Sequence, residues 1–465
     1  MPQAISLTKI QTNIGYFTLL VYAILYFTSS KGINCSNDGS HFALAKSIYY
    51  NHKTEITPFF GYVKDTDYAV KDGIIYSDRL PGNAFLMLPF IAYSNFFEFV
   101  SKSSFGNKFE ADIIAVLFLP NICGILGLVL MFLLYLKIGF GFNLAYLSTI
   151  IYGVSTLHWF ESVHAFSHAP SMLFVMMAVY LAIISIKDIN RDKRYLYVVA
   201  ALIGFSTLIE LQNILFFFPI FLYIFVSAKV DFREFRSWVP ILSGCVALLT
   251  FFVGCLVYYN YITFGELLLK SNTYNPHFPE EKSFSSALSG NSILGLDKLL
   301  TNFSNINLYV NWQKGVGNDI PGLLVSSPIL LLSIWGFVPF LKREKNMALL
   351  FLLMIGISIA IAAFHKTTLT RHIFTINPFF YFPIIYSFRY IWRAKKFRIM
   401  GLGLVALLVL ISTFRIAYVI HTYYGRGSRG IFGFQSEIVS FVVFYTSLAA
   451  LFLILTGIQK KLKKV

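Results

Sequence analysis

Residues 112–136 read DIIAVLFLPNICGILGLVLMFLLYL, twenty-five positions with one charged group, Asp112, at their edge. As a helix rising 1.5 Å per residue this run exceeds the ~30 Å of a bilayer's hydrocarbon core. It has no alternating period, so it can satisfy its backbone amides in lipid only as a helix. Working outward, similar apolar runs bounded by charge occur near 12–30, 143–158, 169–187, 196–210, 212–228 and 238–259. More follow near 321–341, 346–364, 373–389, 399–421 and 435–457. The expected fold class is an all-α polytopic membrane protein of about twelve transmembrane helices. The composition agrees: 13% of the 465 residues are charged, against roughly 25% in an ordinary soluble domain.

The surplus of 38 Lys and Arg over 22 Asp and Glu, +16 in all, would in a soluble protein suggest nucleic acid. Here cytoplasmic loops that accumulate basic residues account for it, and no basic groove interleaved with stacking aromatics lies outside the spans, so no nucleic-acid partner is expected. Lys and Arg concentrate in one set of alternate loops, at Lys137, Lys187–Arg194, Lys229–Arg236, Lys342–Lys345, Arg389–Arg398 and Lys460–Lys464. That set is expected to be cytoplasmic. Both ends then lie inside, and two long loops, 31–111 and 261–320, lie outside. The chain divides accordingly into a transmembrane module 1–260 that includes the loop 31–111, the second loop 261–320, and C-terminal helices 321–465. Residues 84–100, AFLMLPFIAYSNFFEFV, are apolar, yet Pro89, Asn95 and Glu98 favour an interfacial helix over a crossing. Cys35, Cys123, Cys245 and Cys255 follow no disulfide or metal pattern.

The polar groups that the spans lack sit in the external segments, where a site is expected. In SNDGSHFALAKSIYYN, Asp38 precedes Phe42, Ala45, Ile48 and Tyr49 at helical spacing, the pattern of an amphipathic surface helix. Two uses of Asp38 fit: an N-cap, or a base removing a proton from an acceptor hydroxyl. Arg79, before Pro81 and Gly82, is either solvated or a bidentate partner for phosphate. HWFESVHAFSHAPSML gathers His158, Glu161, His164 and His168 without a basic side chain. His164 and His168, four apart, could share a divalent metal ion, contact substrate, or pack. Glu210, Gln212 and Asn213 form an external turn that is either solvated or a cavity wall. Lys366, Arg371 and His372 are partners for an anionic lipid head group or anchors at the interface.

Together these segments resemble the GT-C glycosyltransferases, enzymes that use polyprenyl-phosphate-linked sugars. The resemblance is closest to the branch of the dolichyl-phosphate-mannose-protein mannosyltransferases and aminoarabinose transferases. It rests on Asp38, Gly39, His41 and Phe42 after the first span, on Arg79, Pro81 and Gly82, and on SHAPS at Ser167–Ser171. Also matching are YNYITFGELLLKSNTYNP at Tyr259–Pro276, PGLLVSSP at Pro321–Pro328 and TRHIFTINPF at Thr370–Phe379. The resemblance implies Asp38 as general base, and Arg79, Arg371, His372 and Lys366 around the donor phosphate. The family's second external acid has no counterpart at His168 or Ala169, and Glu161 or His168 stands in for it. The implied partners are a polyprenyl-phosphate sugar donor, a glycan, lipid or protein acceptor, and membrane lipids. The resemblance further implies inversion at a site on the outer face of a plasma membrane. A polymerase or ligase using a diphosphate-linked donor and a secondary transporter are the alternative functions.

Overall fold

The computed structural model describes residues 8–30, 32–64, 66–102, 110–186, 192–229, 235–269, 271–278, 288, 290–302, 321–365, 369–394 and 397–422. Among them, six helices are long and apolar enough to cross a membrane. They are Lys9–Ser29, Ala111–Lys137, His168–Ser185, Trp238–Phe264, Lys345–Phe364 and Arg398–Ile420. The protein buries only 17% of the apolar window of Trp238–Phe264, and the same share of Arg398–Ile420. Faces this large and apolar are unsustainable in water and match a lipid environment.

Several of the apolar runs are stepped or broken at prolines. Pro120 lacks an N–H and its ring crowds the carbonyl four residues back, and the helix steps at Leu117 between Ala111–Val116 and Phe118–Lys137. The run 373–389 divides into a 3-10 turn Thr370–Ile376 and helices Asn377–Tyr381 and Ile384–Arg393, with Pro378 and Pro383 at the divisions. Carbonyls freed there are recaptured inside the protein, as they must be at membrane depth. Ser333 Oγ donates to the carbonyls of Phe380 and Tyr381, and Tyr135 Oη donates to that of Phe382 at 3.3 Å. The run 321–341 is likewise divided, at Pro328, before the helix Leu331–Arg343. The expected span 435–457 lies outside the described residues.

The long stretch after the first helix is a folded unit over its described residues 32–64 and 66–102. Helix α1 (Lys9–Ser29) leads into α2 (Ser36–Lys46), every residue of which is buried. This corrects the expectation of an amphipathic surface helix: α2 is enclosed by the 3-10 turn Thr57–Tyr62, a hairpin and α3 (Pro81–Ala92). The hairpin, β1 (Tyr68–Lys71) and β2 (Ile74–Ser77), pairs Tyr68 with Ser77 and Lys71 with Ile74. Its turn residues Asp72 and Gly73 have φ of 53° and 78°, as a two-residue turn between twisted strands requires. Asp-Gly between YAVK and IIYS was the available signal for it. At twelve residues, α3 spans ~18 Å and is too short to cross. Its Gly82 meets the backbone of Leu208 and Ile209, where a Cβ would lie 2.6 Å from the Leu208 carbonyl carbon.

Candidate active site

Asp38 occupies the third position of α2, not its N-cap, which is Cys35. Its Oδ1 accepts the amide of Cys35 at 2.8 Å and its Oδ2 that of Asn34 at 3.0 Å, so the carboxylate reaches back over the start of the helix. Burial pushes this carboxyl above the ordinary range, against the pull of those two amides. Three residues along α2, His41 is buried with no hydrogen-bond partner on either ring nitrogen among the described residues. Burial and the neighbouring Arg79 and His168 hold it neutral, at about 3.

Arg79 follows β2 and is set by two acids. It pairs with Asp67 and, at 3.2 Å through Nε, with Asp78. Asp78 is buried and accepts Asn275 Nδ2 at 2.7 Å. The same amide group donates to the Thr66 carbonyl at 2.9 Å, so the Tyr259–Pro276 stretch docks on the first loop beside Arg79.

The segment HWFESVHAFSHAPSML folds inward. The helix Leu157–Ser162 is held by Asn121, whose Nδ2 donates to the Ser162 carbonyl at 2.6 Å, and by the close approach of Gly124 to Ser162. This leaves Glu161 fully buried with both carboxyl oxygens unpartnered among the described residues. Burial pushes its carboxyl up to about 7, although His168 and Arg371 draw it down. His164 Nδ1 lies 2.7 Å from the Phe160 carbonyl and its ring stacks on Phe166 at 5.3 Å. His168 instead meets Glu210, with Nδ1 2.5 Å from Oε1. The two imidazoles thus have separate partners, and no group of three or more His, Cys, Asp or Glu able to hold a metal occurs among the described residues.

Arg371 comes from the 3-10 turn Thr370–Ile376 and lies over the Phe166 ring at 5.5 Å. Its charge reaches Cys35, Glu161, His168 and His372. His372 lies beside His365 at 5.4 Å between ring centroids, and burial, with His365 and Arg371, holds it well below the ordinary imidazole range. Lys366 lies outside the described residues. Arg79, Glu161, His168, Arg371 and His372, from three separate stretches of chain, therefore share one electrostatic environment, joined by His41 and Glu210, and Asp38 adjoins it through Cys35, whose thiol feels both Asp38 and Arg371. Sequence reasoning gave His41 no role and left Glu210 undecided, because neither lies at a spacing that marks it locally.

Residues 105–258, a third of the chain, match the family model described as dolichyl-phosphate-mannose-protein mannosyltransferase. The fold is similar over 90% of this chain to ArnT from Cupriavidus metallidurans bound to undecaprenyl phosphate, with a TM-score of 0.54 and 11% identity, covering 70% of that protein. The matched third of the chain is similar in sequence to that mannosyltransferase family, in line with the resemblance to the GT-C enzymes read from the motifs. Sequence carries the likeness over 105–258, and over the remainder the likeness is one of fold alone. The oligosaccharyltransferase of Archaeoglobus fulgidus aligns over 88% of this chain at 12% identity and a TM-score of 0.52. The archaeal AglB, in complex with an inhibitory peptide and a dolichol-phosphate, aligns over 90% at 14% and 0.54. The chain covers 56% of the protein in each of these two Archaeoglobus fulgidus structures. No curated protein matches it in sequence. What this chain has in common with the solved structures, at such identities, is the fold.

Proposed function

We propose that this protein is a GT-C membrane glycosyltransferase that moves a sugar from a polyprenyl-phosphate donor to an acceptor hydroxyl on the non-cytoplasmic side of a plasma membrane. The observation that carries the reading is the convergence of an acid-rich and arginine-bearing cluster from segments up to more than 300 residues apart. Single displacement needs one proton acceptor beside the nucleophile and fixed positive charge beside the leaving phosphate. Asp38 is the proposed base. Its burial raises its proton affinity, and two backbone amides fix its direction. The acceptor oxygen attacks the anomeric carbon as its proton passes to Asp38. The bond from that carbon to the phosphate oxygen breaks, its electron pair leaves with the polyprenyl phosphate, and the configuration inverts. Arg371, with Arg79 behind it, stabilises the departing charge. Glu161 is the proposed second acid of the site.

The test is thermal unfolding of the detergent-purified protein with polyprenyl-phosphate sugars, and sugar release by wild type and Asp38→Asn. A ligand bound only by the folded state raises the midpoint. The expected result is stabilisation of both proteins by a lipid-linked sugar, with turnover by wild type alone and a loss of at least ~10²-fold in the variant. Absence of any polyprenyl-phosphate effect on either protein refutes the lipid-donor reading and favours solute transport.

A further inference from the structure

Glu210 is a corner residue, in extended backbone (φ −142°, ψ 114°) between the helix Tyr195–Ile209 and the 3-10 turn Leu211–Phe216. Its carboxylate gathers four partners. Oε1 faces His168 Nδ1 at 2.5 Å and accepts the Ser167 hydroxyl at 3.3 Å. Oε2 accepts the Thr375 hydroxyl at 3.1 Å and Gln212 Nε2 at 3.4 Å. The Gln212 amide also donates to the His372 carbonyl at 3.2 Å. One buried side chain therefore binds together the start of the His168–Ser185 helix, its own corner, and the turn that carries Arg371. Burial would push the Glu210 carboxyl up. His168 and the hydroxyl donors outweigh that and keep it ionised.

The anchor presents two donors while His168 is protonated, because with Nδ1–H given to the Glu210 carboxylate its Nε2 carries a hydrogen only in the imidazolium. With Nδ1 committed to Glu210, His168 has only Nε2 to offer, and Nε2 is buried with no hydrogen-bond partner among the described residues. A buried ring nitrogen left in that state is costly until something pairs with it. Arg371 is carried by the turn that Thr375 fastens to Glu210. Its guanidinium lies over Phe166, whose ring meets that of His168 edge-on at 5.9 Å. The two donors thus share one aromatic support and one carboxylate clamp.

We propose that Glu210 is the positioning residue of the donor-phosphate subsite, holding the His168 ring and the Arg371 turn in register so that His168 Nε2 and the Arg371 guanidinium meet one anionic phosphate. The inference rests on the glycosyltransferase reading and extends it. Glu210 makes and breaks no bond in the transfer. Its effect is orientation, and a carboxylate behind an imidazole fixes both the ring and which nitrogen faces outward. The unpaired Glu161 carboxyl stands against an anion only when ionised. With its carboxyl pushed up to about 7, it is largely neutral in mildly acidic solution.

The experiment measures affinity for undecaprenyl phosphate, with undecaprenol as the uncharged control, across pH 5–9 in detergent. The variants are Glu210→Gln, which keeps shape and loses charge, Glu210→Asp, which keeps charge, and Thr375→Val, which removes one fastening of the turn. Wild type is expected to prefer the phosphate over the alcohol. Glu210→Gln is expected to weaken phosphate binding at least tenfold at pH 7 and to move the fall in affinity to lower pH, because the imidazole loses its partner anion. Glu210→Asp should recover most of the affinity, and Thr375→Val should lose several-fold with no shift in the pH profile. His168 is also faced by Glu161, His41, Arg371 and His372, so Glu161→Gln measured in parallel isolates the Glu210 contribution. Unchanged or tighter binding by Glu210→Gln, with the wild-type pH profile, overturns the role of Glu210 and leaves the lipid-donor reading standing. Should that variant fail to fold, wild-type affinity in Thr375→Val overturns it equally. A wild type that binds the alcohol as well as the phosphate overturns both.

Discussion

Gly39→Ala is the sharpest structural test of the site. Gly39 follows Asp38 in α2, and an added Cβ would run into the Tyr62 carbonyl, 2.7 Å from its carbon and 3.1 Å from the Val63 Cα. Carbon atoms rest at ~3.5 Å or beyond, so the first contact is about 0.8 Å too close. The obstacle is backbone, which cannot rotate away as a side chain would. Either α2 or the Thr57–Tyr62 turn must move by about that amount, and overpacking of this kind costs ~1–3 kcal/mol. The segment facing α2 is also tied down, since the amides of Thr66 and Asp67 both donate to Ser36 Oγ, at 3.0 and 2.6 Å. The displacement therefore falls on the first turn of α2 and on the Asp38 carboxylate. A misplacement of ~1 Å in a reacting group can cost on the order of 10²-fold in rate. The assay pairs thermal unfolding with sugar release, using Gly61→Ala as control, because a Cβ at Gly61 meets nothing within 4 Å. Expected are a lowered midpoint and turnover reduced about 10²-fold for Gly39→Ala, and neither change for Gly61→Ala. Wild-type turnover and midpoint in Gly39→Ala would falsify the placement of Asp38 against that turn.

Two further outcomes follow from buried charge. Lys46 Nζ lies 2.8 Å from Asp112 and 3.0 Å from Glu110, with the Lys46 and Asp112 side chains each about 10% exposed. It also sits within 5.7 Å of the ring centres of Phe42, Tyr50, Phe59 and Tyr62. Lys46→Met leaves Asp112 unpaired and should destabilise by ~3–5 kcal/mol, with Lys46→Met/Asp112→Leu recovering part of it; a single-variant loss below ~1 kcal/mol in denaturant unfolding would contradict the pairing. Glu161 titrates at its ordinary 4.5 when unfolded and at about 7 when folded. Its contribution to stability is complete below the first value and lost as pH rises through the second, a difference of roughly 3 kcal/mol. Midpoints of wild type should therefore fall from pH 5 to 8 more than those of Glu161→Gln, and parallel curves would count against the buried, unpartnered carboxyl.

The sequence by itself determined the membrane class, most of the long helices, the location of the polar groups in the segments between the apolar runs, and the order of motifs that resembles the GT-C enzymes. Those properties are local: hydropathy over about twenty residues and the absence of charge suffice to select a lipid-embedded helix. The hairpin is equally local, written in Asp72-Gly73 between two short strands. Tertiary structure alone decided the partners. Arg79 is clamped by Asp67 and Asp78, and His168 meets Glu210, 42 positions along the chain, in place of His164. An apparently amphipathic α2 is buried on every side because the hairpin, α3 and the Thr57–Tyr62 turn close over it. A periodicity can say which face of a helix is apolar, but the partner of a buried charge is set by whichever distant segment the packing brings within ~3 Å, and no spacing along the chain encodes that distance.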